Sequence, residues 1–300
     1  MNRLVKRSGL FIPVWLLAAM LVLVAAGTSS GAQAPRQVPT LKEVLAQGGD
    51  FGALLSKSGD ALRAELMAKH RGGYYGPYAE VRRDMKVEDN VFMGHKWYRI
   101  ATKKGVQAGG TKKILYLHGG AWILEASPRY MAFVSFLADS SGAEVWFPEY
   151  PLAPEHNAVQ AFEMLSGLYG EMLKEAPAHE IAVMGDSTGG SLALGLGMYL
   201  RDHGVPQPNN LILFSPGVDI MLWRTPEEVA YNRKLVEAGL NAVSSNAQST
   251  IMDWWRGDLP ETDYRVNSTF GDMRGLAPMT VFVGSAENES IMKFVAKAAE

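Results

Sequence analysis

Short apolar runs alternate with longer amphipathic segments along most of this chain, and this alternation restricts its possible folds. Each run stops at or next to a Gly, Pro, Ser or Asp, and the runs lie at 113–118, 143–150, 181–187, 211–219 and 280–285. Segments with helical spacing of apolar residues separate them, at 129–140, 158–175, 190–203 and 291–299. Runs that are apolar on consecutive residues suit strands buried on both faces. The sequence therefore predicts an α/β fold, with a mostly parallel, doubly wound sheet wrapped by helices on both sides.

Two regions depart from this alternation. Residues 35–90 are polar with helical spacing and predict an N-terminal helical arm or cap. Residues 91–300 contain the alternating pattern, interrupted at about 222–262 by a second helical segment. We expect that insertion to cover the carboxyl edge of the sheet, where α/β folds place their sites.

The first 34 residues have the layout of a targeting segment. Arg3, Lys6 and Arg7 precede an apolar run at 10–26, and small polar residues follow it. This order is typical of a secretory signal peptide. The run is also about as long as a minimal membrane-spanning helix, roughly 17 residues, so an uncleaved anchor is the alternative. We expect the rest of the chain to be exported, that is, periplasmic or secreted. If the leader is not cleaved, we expect the chain to be anchored to the membrane.

The composition limits the chemistry. The 300 residues are 47% hydrophobic and 20% charged, with a net charge of −2, so the chain has the composition of an ordinary globular protein and no nucleic-acid partner is expected. It has no cysteine, which excludes thiol catalysis, zinc thiolate sites and disulfides. Hydroxyl, carboxylate, imidazole and amine groups remain, and we expect no metal or cofactor.

A candidate nucleophile lies in the pattern Gly-x-Ser-x-Gly at 185–189. The pattern directly follows a predicted strand and directly precedes a predicted helix. A serine at such a turn has strained backbone geometry, and the glycines two residues to either side let strand and helix pack closely enough to expose its oxygen. The helix N-terminus favours negative charge nearby. Ser187 is therefore the predicted nucleophile; a glycine-rich turn with a capping serine is the alternative.

The sequence His-Gly-Gly-Ala-Trp at 118–122 follows another predicted strand. Attack on an ester carbonyl creates an oxyanion, and each aligned donor contributes about 3 kcal/mol in other enzymes. Small residues let backbone N–H groups approach such an oxygen. The alternative is a glycine turn with a histidine that anchors the loop.

Together with three further segments these motifs resemble the hormone-sensitive-lipase-like esterases, a family of the α/β-hydrolase fold. The segments on which the resemblance depends are HGGAW (118–122), YPLAPEH (150–156), GDSTGG (185–190), SPGVD (215–219) and LAPMTVFVGS (276–285). The resemblance implies a carboxylesterase-type or lipase-like serine hydrolase that forms an acyl-enzyme on short to medium acyl esters. It also implies an oxyanion hole built by Gly119, Gly120, Ala121 and Thr188. Pro151, Ala121 and Thr188 depart from the usual family pattern, and Thr188 adds bulk beside the nucleophile.

The resemblance implies that Glu287 is the acid that orients the catalytic histidine, with Glu289 and Asp219 as alternatives. In this fold the chain order is nucleophile, acid, histidine. No histidine follows Glu287; the six are His70, His95, His118, His156, His179 and His203. We therefore expect the histidine, with the last strand and helix of the family, beyond residue 300. His203 is expected about 20 Å from Ser187, because a helix of about four turns separates them.

Aromatic residues near the expected pocket allow two interpretations. Trp122 and Tyr231 are candidate substrate contacts, as are Trp254 and Trp255, but aromatic residues also serve as packing. Two other functions stay open: a non-catalytic binding protein on an α/β-hydrolase scaffold, and an exopeptidase of the same fold.

Overall fold

The computed structural model describes residues 54, 56–71, 79–103, 112–218, 245–284 and 289–298. Within these ranges the strands are β1 Met85–Phe92, β2 His95–Thr102, β3 Lys113–Leu117, β4 Glu144–Pro148, β5 Ile181–Asp186, β6 Asn210–Phe214 and β7 Met279–Phe282. The helices are α1 Gly59–Arg71, α2 Ala79–Asp84, α3 Pro128–Ser141, α4 Ala158–Glu175, α5 Thr188–Asp202, α6 Ser245–Arg256 and α7 Glu289–Ala298. Short 3₁₀ turns lie at Ala178–Glu180 and Ser268–Phe270.

The strands form one sheet in the order β1-β2-β4-β3-β5-β6-β7. The five strands from β4 to β7 in that order are parallel, whereas β1 and β2 pair antiparallel and β2 pairs antiparallel with β4. The predicted mostly parallel α/β sheet is therefore confirmed. Each of the five predicted apolar runs overlaps a strand of the parallel part.

Two apolar layers cover the sheet, one on each face. Along β3, Leu115 and Leu117 belong to one buried cluster, while Ile114 and Tyr116 belong to the other. This period of two is the alternation of side chains along a strand. The first layer draws on α1, α4, α5, α6 and α7, and the second on α2 and α3. Both faces are buried, which is why the parallel strands are apolar on consecutive residues.

The expectation of a wholly helical arm at 35–90 is wrong at its end. Residues 85–90 belong to β1, which pairs with β2 across a two-residue turn at Met93 and Gly94. Both turn residues have positive φ, 50° and 83°, as the twist of a tight hairpin requires. β1 lies at the edge of the sheet and alternates between sheltered and exposed residues, so it lacks the continuous apolar run that marks the central strands.

The C-terminal part of the predicted insertion is helical and packs on the arm. α6 contacts α1 and α4, and it buries Ala247, Ile251, Met252 and Trp255. α1 contributes Leu62 and Leu66 to the same cluster. Residues 222–244 of the insertion lie outside the described residues.

No helix among the described residues has the length and apolar character that crossing a membrane requires. The predicted leader or anchor at 1–34 lies outside the described ranges.

Candidate active site

Ser187 lies at the sharp turn from β5 to α5, with φ 51° and ψ −124°. Positive φ is uncommon for a residue with a side chain and marks a strained position that its surroundings must hold. Its N–H donates to the carbonyl of Phe214 at 3.0 Å, and its carbonyl accepts from the N–H of Gly217 at 2.7 Å. The turn is therefore fixed on both sides by the segment that leaves β6.

The two glycines of the motif are required by close packing. A Cβ atom on Gly185 would lie 2.2 Å from the carbonyl oxygen of Gly189. A Cβ atom on Gly189 would lie 2.1 Å from the carbonyl oxygen of Leu117, at the end of β3. The start of α5 thus lies directly on the neighbouring strand end, as expected for a serine raised on a tight strand-to-helix turn.

The loop after β3 lies against the serine. A Cβ atom on Gly119 would come within 3.0 Å of the Cβ of Ser187. Gly120, Ala121 and Trp122 follow with φ of 133°, 54° and 58°. Ala121 and Trp122 carry side chains in the left-handed region, so the loop stores backbone strain beside the serine.

The backbone N–H groups of this loop are not equivalent. The N–H of Gly119 donates to Asp186 Oδ1 at 3.1 Å and to the hydroxyl of Tyr130 at 3.0 Å. Among the described residues, the N–H groups of Gly120, Ala121 and Thr188 meet no acceptor. Of the four predicted oxyanion donors, three therefore have no acceptor among the described residues, while that of Gly119 is already engaged.

His118 is wholly buried behind this loop. Its Nδ1 lies 2.7 Å from the carbonyl oxygen of Gly119, and its ring stacks on Tyr150 with centroids 4.5 Å apart. Its Nε2 has no hydrogen-bond partner among the described residues. Burial lowers the pKa of the imidazole to about 4 from its ordinary 6.5, so the ring is neutral near pH 7. These contacts fit a histidine that anchors the loop.

Asp186 directly precedes Ser187 and accepts three hydrogen bonds through its carboxylate. Tyr116 donates its hydroxyl to Oδ1 at 2.9 Å, and Tyr130 donates to Oδ2 at 2.7 Å. The third donor is the N–H of Gly119. Burial raises the pKa of this carboxyl, although the three donors favour its charged form. Sequence reasoning missed Tyr116 and Tyr130, because neither belongs to a motif and both come from other elements.

Trp122 is buried among the described residues. Only 2% of the residue is exposed, and its indole stacks on that of Trp255 with centroids 5.1 Å apart. Trp255 is wholly buried and Trp254 is partly buried. The ring of Trp122 therefore packs against α6, and its role as a substrate contact stays a prediction.

A family model described as the alpha/beta hydrolase fold matches residues 114–291, more than half of the chain. The chain belongs to this family. The matched range begins in β3 and includes the turn at Ser187 and the loop after β3, so it contains both parts of the site.

Relatives and solved structures agree with this assignment. An esterase of Acinetobacter venetianus is 34% identical over 194 residues, which cover 63% of this chain and 62% of that protein. A triacylglycerol lipase of Mycobacterium tuberculosis is 29% identical over 175 residues, covering 58% of this chain and 34% of that protein. The crystal structure of EstE7, a hormone-sensitive-lipase homologue from a metagenome library, is 26% identical with a TM-score of 0.62, covering 84% of this chain and 83% of its own.

The matched span is less than two thirds of either curated relative. The predicted resemblance to the hormone-sensitive-lipase-like esterases is confirmed at the level of family and fold.

Glu287, Asp219 and the pocket candidate Tyr231 lie outside the described residues. Glu289 is the first residue of α7. His203 is exposed just beyond α5, where Nδ1 lies 2.7 Å from the carbonyl oxygen of Tyr199. In the described ranges no group of three or more His, Cys, Asp or Glu could hold a metal ion.

Proposed function

We propose that this chain is the core of a serine carboxylic-ester hydrolase that forms an acyl-enzyme on Ser187. The observation that carries the proposal is the positive φ of Ser187 at the β5–α5 turn, directly against the loop after β3. Backbone strain at a residue of this type occurs at functional sites, where the surrounding structure holds it. Similarity to an esterase and to a lipase supports the same chemistry.

The proposed reaction has two halves. The Ser187 oxygen attacks the ester carbonyl carbon while its proton passes to a base, and the bond from that carbon to the alcohol oxygen then breaks as the alcohol takes the proton. Water attacks the acyl-serine in the second half, which releases the acid and restores the serine. In both halves the oxyanion receives hydrogen bonds from the N–H groups of Gly120, Ala121 and Thr188.

The base of this reaction is a histidine that follows the acid in the family's chain order. His118 does not fill this role, because it is buried and neither ring nitrogen hydrogen-bonds Ser187. His203 is held at the far end of α5. Glu287 is the proposed acid.

A fluorophosphonate probe tests the nucleophile. We expect it to label the full-length protein at Ser187, and we expect Ser187→Ala to abolish both labelling and the hydrolysis of an acetate or butyrate ester. Ser191→Ala is the matched control, because Ser191 is a buried serine one turn further along α5. Labelling of another serine, with Ser187→Ala still active, would overturn the assignment.

The proposed substrates are esters of short to medium acyl chains, since the resemblance implies a limited pocket under a helical cap. Initial rates on a series of esters from acetate to palmitate measure this preference. A rate that rises steadily up to palmitate contradicts it.

The first residues support a proposal about location. The basic residues, apolar run and small polar residues of 1–34 favour export, with cleavage or with retention at the membrane. Fusing residues 1–34 to a reporter that is active only outside the cytoplasm tests this. A fusion that stays cytoplasmic overturns the proposal.

A further inference from the structure

The loop after β3 is tied to the nucleophile's strand by one carboxylate. Asp186, the last residue of β5, accepts the N–H of Gly119 at 3.1 Å. It also accepts the hydroxyls of Tyr116 and Tyr130, at 2.9 and 2.7 Å. We call these four residues the Asp186 cluster. They come from β3, the loop after it, α3 and β5, so the cluster joins four separate parts of the fold.

Two acceptors share the N–H of Gly119. Gly119 donates both to Asp186 Oδ1 and to the hydroxyl oxygen of Tyr130, while that hydroxyl donates to Asp186 Oδ2. A Cβ atom on Gly119 would lie 2.7 Å from Asp186 Oδ2, so the glycine backbone lies directly on the carboxylate. The N–H of Gly119 therefore points into the cluster, and the next N–H groups of the loop are left for a ligand.

The loop needs such an anchor. Ala121 and Trp122 have φ of 54° and 58°, a conformation that costs about 1 kcal/mol or more at each residue with a side chain. Hydrogen bonds to a charged group are roughly twice as strong as neutral ones. Among the described residues Asp186 makes no ion pair, and the groups that reach its carboxyl are two hydroxyls and one N–H.

We propose that Asp186, Tyr116 and Tyr130 are positioning residues that hold the loop after β3 so that the N–H groups of Gly120 and Ala121 face the reacting carbonyl. This inference rests on the proposed esterase function. The three side chains act through Gly119 and do not touch the substrate. Loss of these side chains therefore lowers kcat while KM changes little. A displaced donor weakens the stabilisation of the charged transition state more than it weakens substrate binding.

Kinetics of the full-length protein test the proposal. We expect Asp186→Asn to lower kcat by about 10 to 100-fold and Tyr130→Phe by about tenfold, both with KM within about threefold of wild type. The double variant should be little worse than Asp186→Asn, because the two groups act as one unit. Tyr169→Phe is the matched control: it removes a buried tyrosine hydroxyl that donates to the carbonyl of Pro206, in another part of the fold.

Amide hydrogen exchange of the segment 118–122 gives a readout that does not depend on activity. We expect faster exchange there in Asp186→Asn and Tyr130→Phe, and unchanged exchange in Tyr169→Phe, at a temperature where all variants are folded by circular dichroism. Unchanged exchange in the first two variants overturns the proposal. So does faster exchange with kcat within about twofold of an active wild type. If wild type hydrolyses no ester, the proposed function fails, and the exchange result alone decides whether the cluster holds the loop.

Discussion

The indole of Trp122 lies flat on that of Trp255, with ring centroids 5.1 Å apart and planes 5° from parallel. Trp122 ends the strained loop beside Ser187, and Trp255 lies in α6. The Nε1 of Trp255 also donates to the carbonyl of Arg265 at 3.3 Å. This contact connects the conformation of the loop directly to the helical segment that packs over it.

Truncation of Trp255 is expected to destabilise the fold. Trp255→Ala removes a wholly buried indole, so we expect the free energy of unfolding to fall by about 3 to 5 kcal/mol. Chemical denaturation measures it. Trp254→Ala is the control, because this adjacent tryptophan is only partly buried and its loss should cost less. Equal losses for the two variants would contradict a special role of the stacked pair.

Two glycines are expected to respond in opposite directions to alanine. Gly189→Ala places a Cβ 2.1 Å from the backbone carbonyl of Leu117, and backbone cannot yield cheaply, so stability should fall by about 3 kcal/mol or more. A Cβ on Gly170, inside α4, would meet no atom within 4 Å, so Gly170→Ala should raise stability by roughly 0.5 to 1 kcal/mol. Denaturation curves of the two variants check both signs. A stable Gly189→Ala protein would refute the close packing at the serine turn.

Stability is expected to depend on pH through His118. Its pKa is about 4 in the folded protein and 6.5 ordinarily, so the unfolded chain binds this proton more readily between those values. The free energy of unfolding should therefore fall as the pH falls from 6.5 to 4, by at most about 1.4 kcal/mol per pH unit.

Denaturation at about pH 7 and at about pH 4.5 measures this difference in the free energy of unfolding. The two pH values enclose most of the interval between the two pKa values. His118→Gln should reduce the difference, whereas His203→Gln, at an exposed position, should preserve it. The prediction fails if His118→Gln keeps the full difference.

Glu287→Gln is expected to lower kcat of the full-length enzyme by several powers of ten. The replacement keeps the shape of the side chain and removes the charge that orients the histidine, as loss of the triad acid does elsewhere. Steady-state kinetics measure it, with circular dichroism to show that the fold persists. Glu289→Gln should have little effect. If the two effects are exchanged, Glu289 is the acid.

The sequence predicted the central part of the fold because the parallel strands are buried on both faces. Residues 113–117 and 181–186 are apolar on nearly every position, and such runs are visible without knowledge of their partners. β1 was missed as a strand because it alternates between sheltered and exposed residues and is rich in polar side chains, which resemble a polar helix in composition. Burial, which depends on the partner strand, decides the structure there.

The candidate site, like the fold, was predictable from the sequence only in part. Gly185, Ser187 and Gly189 were identifiable from the sequence, because a strand-to-helix turn of this kind needs those residue types at that spacing. Local order along the chain therefore determined the fold class, the strand-to-helix turn that carries Ser187, and the loop that faces it. Only the tertiary structure decided that the N–H of Gly119 turns to Asp186 and that Tyr116 and Tyr130 join it, since these partners are 56 to 70 residues from Asp186 along the chain and meet it only when the sheet and α3 assemble.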